Sequence, residues 1–163
     1  MKIWGVVGWK NSGKTGLMER LVADLTVRGL RVSTIKHAHH AFDVDHAGKD
    51  SYRHRIAGAQ EVLLASSQRW ALMAELRGAD EPSLEDLVAK LSPVDLVLVE
   101  GFKAGTHPKI EAFRKETGHA LLQTNDPTIR AVATDTAIDV DVACFNLDDT
   151  ATIASFILTE LGD

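Results

Sequence analysis

Residues 8–15 read Gly8-Trp9-Lys10-Asn11-Ser12-Gly13-Lys14-Thr15, between a short β-prone run and an amphipathic repeat. Upstream, Ile3, Val6 and Val7 form a run that stops at a glycine, the pattern of a buried first strand in an α/β protein. Downstream, Leu17, Leu21 and Leu25 recur every four residues with Met18 and Val22 beside them, while Glu19, Arg20 and Asp24 occupy the other face. That spacing predicts a helix over 14–28, with Gly29 placed to end it. A strand, a turn with glycines five residues apart and a helix make a phosphate cradle. The glycines let the backbone curl so that successive N–H groups face phosphate oxygens, and the helix presents its positive end. In this Gly-x4-Gly-Lys-Thr arrangement Lys14 would reach the β- and γ-phosphates and the Thr15 hydroxyl would ligate Mg²⁺. The plain alternative is a glycine-containing β–α turn with a surface lysine, and the strand before and helix after it argue for the phosphate loop. No Gly-x-Gly-x-x-Gly falls at this turn, which disfavours a dinucleotide fold.

The rest of the chain continues the alternation. Residues 30–36 read as a second strand, followed by a polar, histidine-rich loop to about Lys49 and a helix from 50 to the Gly58 region. Segments 61–65 and 69–76 look like two strands of a hairpin, and a short helix runs from Ser83, a possible N-cap, to Leu91. Asp95-Leu-Val-Leu-Val-Glu100 is the most continuous apolar run and favours a central parallel strand. Further strands are expected at 109–113 and 130–134, with a weaker one at 119–123, and a last helix over 149–161. The expected architecture is α/β: a three-layer P-loop NTPase fold, a mostly parallel sheet flanked by helices with some antiparallel strands. Its length of 163 residues suits a single nucleotide-binding domain spanning 1–163.

Three further stretches bear on chemistry. Glu100 stands at the C-terminal end of its strand, the edge where open α/β sheets bind ligands, so it is the preferred metal-side carboxylate. Asp95, at the opposite end, reads as a solvated strand-start residue. The block Lys36-His37-Ala38-His39-His40-Ala41-Phe42-Asp43-Val44-Asp45-His46 has three competing explanations: a transition-metal site, a switch-like loop whose groups contact water or Mg²⁺, or an exposed polar loop. Within it Asp45 is the expected catalytic group and outer Mg²⁺ or water ligand. Lys49, in the run Gly48-Lys49-Asp50-Ser51-Tyr52-Arg53-His54-Arg55, could reach a phosphate or simply belong to a solvated first helical turn.

Bulk properties narrow the class. A formal net charge of −5 opposes a phosphodiester backbone, so no general nucleic-acid binding is expected. No apolar run approaches a membrane span, and no membrane partner is expected. The one cysteine, Cys144, cannot form an internal disulfide; its Val-Ala-Cys-Phe setting suggests a buried thiol and a reducing cytoplasm.

Taken together, the phosphate loop, Ile-Lys-His-Ala-His-His-Ala-Phe-Asp-Val-Asp, Gly-Lys-Asp-Ser-Tyr-Arg, Gln-Arg-Trp-Ala-Leu-Met and Leu-Val-Glu-Gly-Phe-Lys resemble the molybdopterin-guanine dinucleotide biosynthesis protein B (MobB) family. His107-Pro108-Lys109-Ile110-Glu111 and Ala131-Val132-Ala133-Thr134-Asp135 extend the match in the same order. The resemblance implies a cytoplasmic homodimer that binds GTP and Mg²⁺, hydrolyses GTP slowly, and assists the MobA-like guanylyltransferase that attaches GMP to molybdopterin. It implies that Asn11, Ser12, Gly13, Lys14 and Thr15 cradle phosphate, that Thr15 and Glu100 serve the metal, and that residues 36–50 close on the nucleotide. Two departures stand out: Gly16 follows Thr15, and the position directly after the first glycine, a signature lysine in related dimeric ATPases, is Trp9. Lys10, one place along, is the nearest stand-in for that phosphate contact. The guanine motif Asn-Lys-x-Asp is absent; Asn125-Asp126-Pro127 is the nearest substitute, with Asp126 able to accept from the guanine N1–H and amino group, and it is equally a turn signature. Two rival classes are a small-molecule kinase, which would need an arginine-bearing lid for which only Arg53–Arg55 is available, and a metal-delivery GTPase using His37, His39, His40 and His46.

Overall fold

Alternating faces of the central strand organise the protein. In β5 (Leu96–Glu100), Leu96 and Leu98 point into one core with Trp4, Val6, Leu17, Leu21, Ile110 and Ile153, while Val97 and Val99 point into a second with Ile35 and Leu84. A strand buried on both faces needs helices on both sides, and that requirement gives the three layers. In the computed structural model, which describes residues 1–38 and 42–162, the first core is closed by α1 (Lys14–Val27) and α4 (Thr150–Glu160) and the second by α3 (Leu84–Ala89).

The main sheet is parallel throughout, in the order β2-β5-β1-β6-β7-β8, with β1 Lys2–Val7, β2 Val32–Lys36, β6 Lys109–Phe113, β7 Ile129–Thr134 and β8 Ala143–Asn146. Its crossing over at β1 puts the turn after β1 between the C-terminal ends of β5 and β6, where open α/β sheets bind ligands. Residues 1–37 and 84–163 form one compact unit and residues 38–83 another. The second holds α2 (Asp50–Ile56) and the antiparallel hairpin β3 (Glu61–Ala65) with β4 (Trp70–Ala74), in which Leu63 faces Leu72 and Ala65 faces Trp70. Among the described residues no helix is long and apolar enough to cross a membrane.

Several sequence expectations are corrected. The weak strand at 119–123 does not form: the N–H groups of Leu122 and Gln123 donate to the Glu111 carboxylate, and a 3-10 turn follows at Gln123–Asn125. The strand missing from the sequence reading is β8, four residues pairing with β7 at the sheet edge. Cys144 lies on it with its thiol exposed rather than buried, because an edge strand turns alternate side chains to water. Asp95 is not merely solvated; its carboxylate accepts from the Arg31 backbone N–H at 2.8 Å and from the guanidinium at 2.9 Å.

Candidate functional site: a phosphate loop beside a carboxylate

The loop is held open by backbone geometry that side chains would obstruct. Gly8 has φ +145°, and a Cβ there would lie 2.3 Å from the Ala112 carbonyl oxygen of β6 and 2.5 Å from Ser12 Oγ. Asn11 (φ 65°) and Gly13 (φ 95°) are both left-handed, so the chain reverses twice before α1 begins. Gly13 is the N-cap of α1 without a side-chain cap, and its carbonyl accepts from Leu17 N at 3.0 Å. The first N–H groups of the helix are therefore free for a ligand. Lys10, Asn11 and Thr15 are exposed, while Ser12 is buried and its hydroxyl has no partner among the described residues.

Lys14 folds back over the loop and donates to the Trp9 carbonyl at 2.6 Å. Its ammonium has a lowered pKa: burial is the main cause, with Lys103 and Lys36 adding to it and Glu100 opposing it. Glu100 lies level with Val6 across β1 and with Lys36 across β2, and its side chain is 12% exposed. Lys36 Nζ approaches its Oε1 to 3.1 Å. The carboxylate expected to serve a metal thus stands on the strand beside the loop, at the same edge.

Within the unit that carries the loop, Asp126 is not brought to it. Asp126 precedes β7 and sits on the N-terminal side of the strands: Ile129 is level with Lys109, and Lys109 with Gly5, whereas the loop begins beyond Val7. Both of its carboxylate oxygens are occupied. Oδ1 accepts from Thr128 N at 2.9 Å and from the Thr128 hydroxyl at 2.5 Å, and Oδ2 accepts from the fully buried Lys109 ammonium at 3.3 Å. That ammonium also donates to the Gly105 carbonyl and to Thr128 Oγ1. Asp45 belongs to the second unit, where its buried carboxylate is gripped by Arg55: Nη2 donates to Oδ1 at 2.8 Å and Nε to Oδ2 at 3.4 Å. Asp43 and Glu75 complete the cage around Arg55, whose guanidinium is held well above its ordinary pKa, chiefly by the Asp45 hydrogen bonds. Lys49 is the exposed residue preceding α2 in the same unit. His39 and His40 lie outside the described residues; among those described, no group of three or more His, Cys, Asp or Glu side chains is placed to hold a metal.

Arg114, Lys103 and His119, to which sequence reasoning gave no role at the site, do meet the loop. Arg114, immediately after β6, packs its guanidinium against Gly13, where a Cβ would meet Nε at 3.4 Å, and faces Asp135 at 3.7 Å beyond the end of β7. Trp9 carries Lys103 Nζ on one ring face, 4.1 Å from the centroid, and stacks on His119 at 4.7 Å. The available signal was topological: Lys103 follows Glu100, and Arg114 and Asp135 follow β6 and β7, all on the ligand-binding edge.

The fold that positions this loop and carboxylate is shared with solved relatives. A MobB protein homolog from Bacillus stearothermophilus superposes with a TM-score of 0.75 at 32% identity, covering 99% of this chain and 98% of that one. The Bacillus subtilis MobB structure gives 0.76 at 25% identity, with 98% of each chain covered. Among curated proteins, the molybdopterin-guanine dinucleotide biosynthesis adapter protein of Escherichia coli (strain K12) is 42% identical over 153 residues, covering 92% of this chain and 87% of that protein. Its Haemophilus influenzae counterpart is 41% identical over 156 residues, covering 94% and 85%. The family model described as molybdopterin guanine dinucleotide synthesis protein B matches residues 3–135, from the start of β1 past the end of β7. With the fold in common and the family model matching most of its length, this chain belongs to the MobB family.

Proposed function

We propose that this protein is a GTP-binding, slowly hydrolysing adapter in molybdopterin guanine dinucleotide biosynthesis, acting in the cytoplasm beside a MobA-like guanylyltransferase. The observation that carries the nucleotide part is the pairing of an uncapped, glycine-shaped helix start with Lys14, next to Glu100 at the same sheet edge. In this reading the N–H groups of Asn11, Ser12, Gly13, Lys14 and Thr15 bind the phosphates. Lys14 leaves the Trp9 carbonyl to neutralise the β- and γ-phosphate oxygens. Thr15 and Glu100 would hold Mg²⁺: a hydroxyl and a largely buried carboxylate are the hard oxygen donors this ion takes. The ion would draw charge from the oxygen bridging to the γ-phosphate. Slow hydrolysis is attack of water on the γ-phosphorus with cleavage of its bond to the β-phosphate oxygen, leaving GDP and inorganic phosphate. A catalytic part for Asp45 requires its pair with Arg55 to open, and comparison of hydrolysis by Asp45→Asn and wild type measures that part. Any phosphate contact by Lys10 or Lys49 would show as a loss of affinity on replacement by alanine.

The adapter and homodimer parts rest on the family and on the hairpin. Leu63 and Trp70 are more than 60% exposed, and Leu64 and Leu72 more than 40%, an apolar content unusual for a free two-stranded ribbon. A second copy of the chain would cover it.

The deciding experiment is GTP binding by Lys14→Ala. The substitution removes a half-buried ammonium whose described hydrogen bond is to Trp9 O, so the fold should persist while GTP affinity falls at least about a hundredfold. Unchanged GTP affinity in a folded variant would remove the assignment.

A further inference from the structure

We infer that Lys103 is the residue with which this protein tells a nucleoside triphosphate from a diphosphate: its ammonium, seated on the Trp9 ring, meets the outermost phosphate. The inference rests on the reading of Gly8–Thr15 as a phosphate loop and deepens it.

The backbone after β5 is shaped to deliver this one side chain. Gly101 (φ 93°) and Phe102 (φ 50°) are left-handed in succession, and Gly105 N–H closes the turn on the Phe102 carbonyl at 2.9 Å. A left-handed phenylalanine is an uncommon and strained conformation, kept where the surroundings require it. Here the Phe102 ring packs on His37 at 4.7 Å, and a Cβ at Gly101 would come within 3.0 Å of the His37 Cβ. The turn carries the chain from Glu100 on β5 across to the loop that follows β1, and Lys103 Nζ comes to rest 4.1 Å from the centroid of Trp9.

That seat is fixed from other sides. His119 stacks on Trp9 with an interplanar angle of 26°, and the indole N–H donates to the Ala120 carbonyl at 2.9 Å. Trp9 occupies the position directly after the first glycine of the loop, so a cation held on its ring is held at the rim of the phosphate cradle.

The charge balance shows what is missing. Lys36, Lys103 and Glu100 all act on Lys14, Glu100 is already in contact with Lys36, and the buried Glu111 carboxylate feels Lys103. With Lys14, Lys36 and Lys103 set against Glu100 and Glu111, one ammonium stands in excess over carboxylate at this edge, and an entering anion would balance it. Lys14, by its place in the loop, reaches between the β- and γ-phosphates and leaves the outer γ-phosphate oxygens for a second cation. Lys103 rests on an aromatic face and makes no ion pair among the described residues, so it can turn to the outermost phosphate without breaking one. A lysine that only packs its stem on a tryptophan would instead affect all nucleotides alike.

The test is binding of Mg²⁺ with GDP and with a non-hydrolysable GTP analogue, by calorimetry, to wild type, Lys103→Met and Lys103→Arg, with Lys14→Ala as reference. The expected result for Lys103→Met is a loss of about ten- to hundredfold for the triphosphate analogue and less than about threefold for GDP, the span of one charge-assisted hydrogen bond. Lys103→Arg should recover most of the difference. Trp9→Leu, which removes the seat and keeps the lysine, should narrow the preference, and Trp9→Phe should restore part of it. Equal losses for both nucleotides, or none, in a protein that loses both with Lys14→Ala would overturn the role of Lys103 alone. Binding that survives Lys14→Ala would overturn the phosphate-loop reading and this inference with it. Circular dichroism of Lys103→Met, and of Lys103→Gln if it misfolds, ensures that affinities are read on folded protein.

Discussion

Replacing Asp126 with asparagine should destabilise the protein more than removing the lysine it pairs with. Lys109 has no exposed surface, and its ammonium is surrounded by the Gly105 carbonyl, the Thr128 hydroxyl and Asp126 Oδ2 at 3.3 Å. Among the described residues Asp126 is the one anion in that shell, and its side chain is 25% exposed. Asp126→Asn leaves a positive charge with no water and only neutral dipoles, and breaking a buried pair from that side costs about 3–5 kcal/mol. Lys109→Met removes the buried charge and leaves a carboxylate that reaches solvent and keeps both hydrogen bonds from Thr128. Its cost is the unpaired Gly105 carbonyl and the lost interactions of the ammonium, about 1–3 kcal/mol.

The double variant should therefore be more stable than Asp126→Asn alone, by about 1–3 kcal/mol, because the charge that made the single change costly is gone. Urea unfolding at pH 7 measures all three. With m unchanged, the midpoints should rank wild type, Lys109→Met, double variant close to Lys109→Met, then Asp126→Asn. If Asp126→Asn is as stable as wild type, the ammonium is not dependent on it and the reasoning fails. The same variant bears on nucleotide choice: a base-reading aspartate would alter the preference for GTP over other nucleotides at little cost in stability, the reverse of the pattern expected here.

Gly8→Ala should cost about 2–6 kcal/mol, combining a positive-φ alanine with contact on the Ala112 carbonyl at 2.3 Å; Gly29→Ala, at φ +93° with nothing within 4 Å, should cost only about 1–2 kcal/mol, and thermal melting compares them. His107 is held below its ordinary pKa, chiefly by burial and then by the Lys109 charge, so its contribution to stability is complete above about pH 6.5 and is lost as pH falls through the lowered value. His107→Gln should flatten that part of the stability–pH curve, and an unchanged slope would contradict it. Glu111 is shifted the other way, up, mainly by burial, so its protonated form favours the fold and stability declines as pH rises from about 4.5 through the raised value. Because the Glu111 carboxylate accepts from both Leu122 N and Gln123 N at 2.9 Å, Glu111→Gln, with one acceptor oxygen, should cost about 1–3 kcal/mol by urea unfolding.

What was legible in the sequence was whatever the chain decides locally. The phosphate loop is eight consecutive residues whose glycines and flanking periodicities carry their own explanation, and β5 is a continuous apolar run whose burial on both faces follows from its composition. β8 was not legible, because four residues at an edge, alternately half-buried and exposed, offer too short a pattern to separate from loop. The acids divide in the same way. Glu100 could be placed because its strand ends there, whereas Asp45 and Asp126 stand in polar segments that place an acid without naming its partner. Their partners, Arg55 and Lys109, are ten and seventeen residues away and meet them only through the folded chain. A carboxylate's type and spacing therefore state that it can bind a metal or a base, while the cation that tertiary structure brings beside it decides whether the oxygens are available. By that criterion Glu100, beside the loop and touching the exposed Lys36, is a group a ligand can recruit, and Asp126, locked to a lysine without solvent, is one that holds the molecule together.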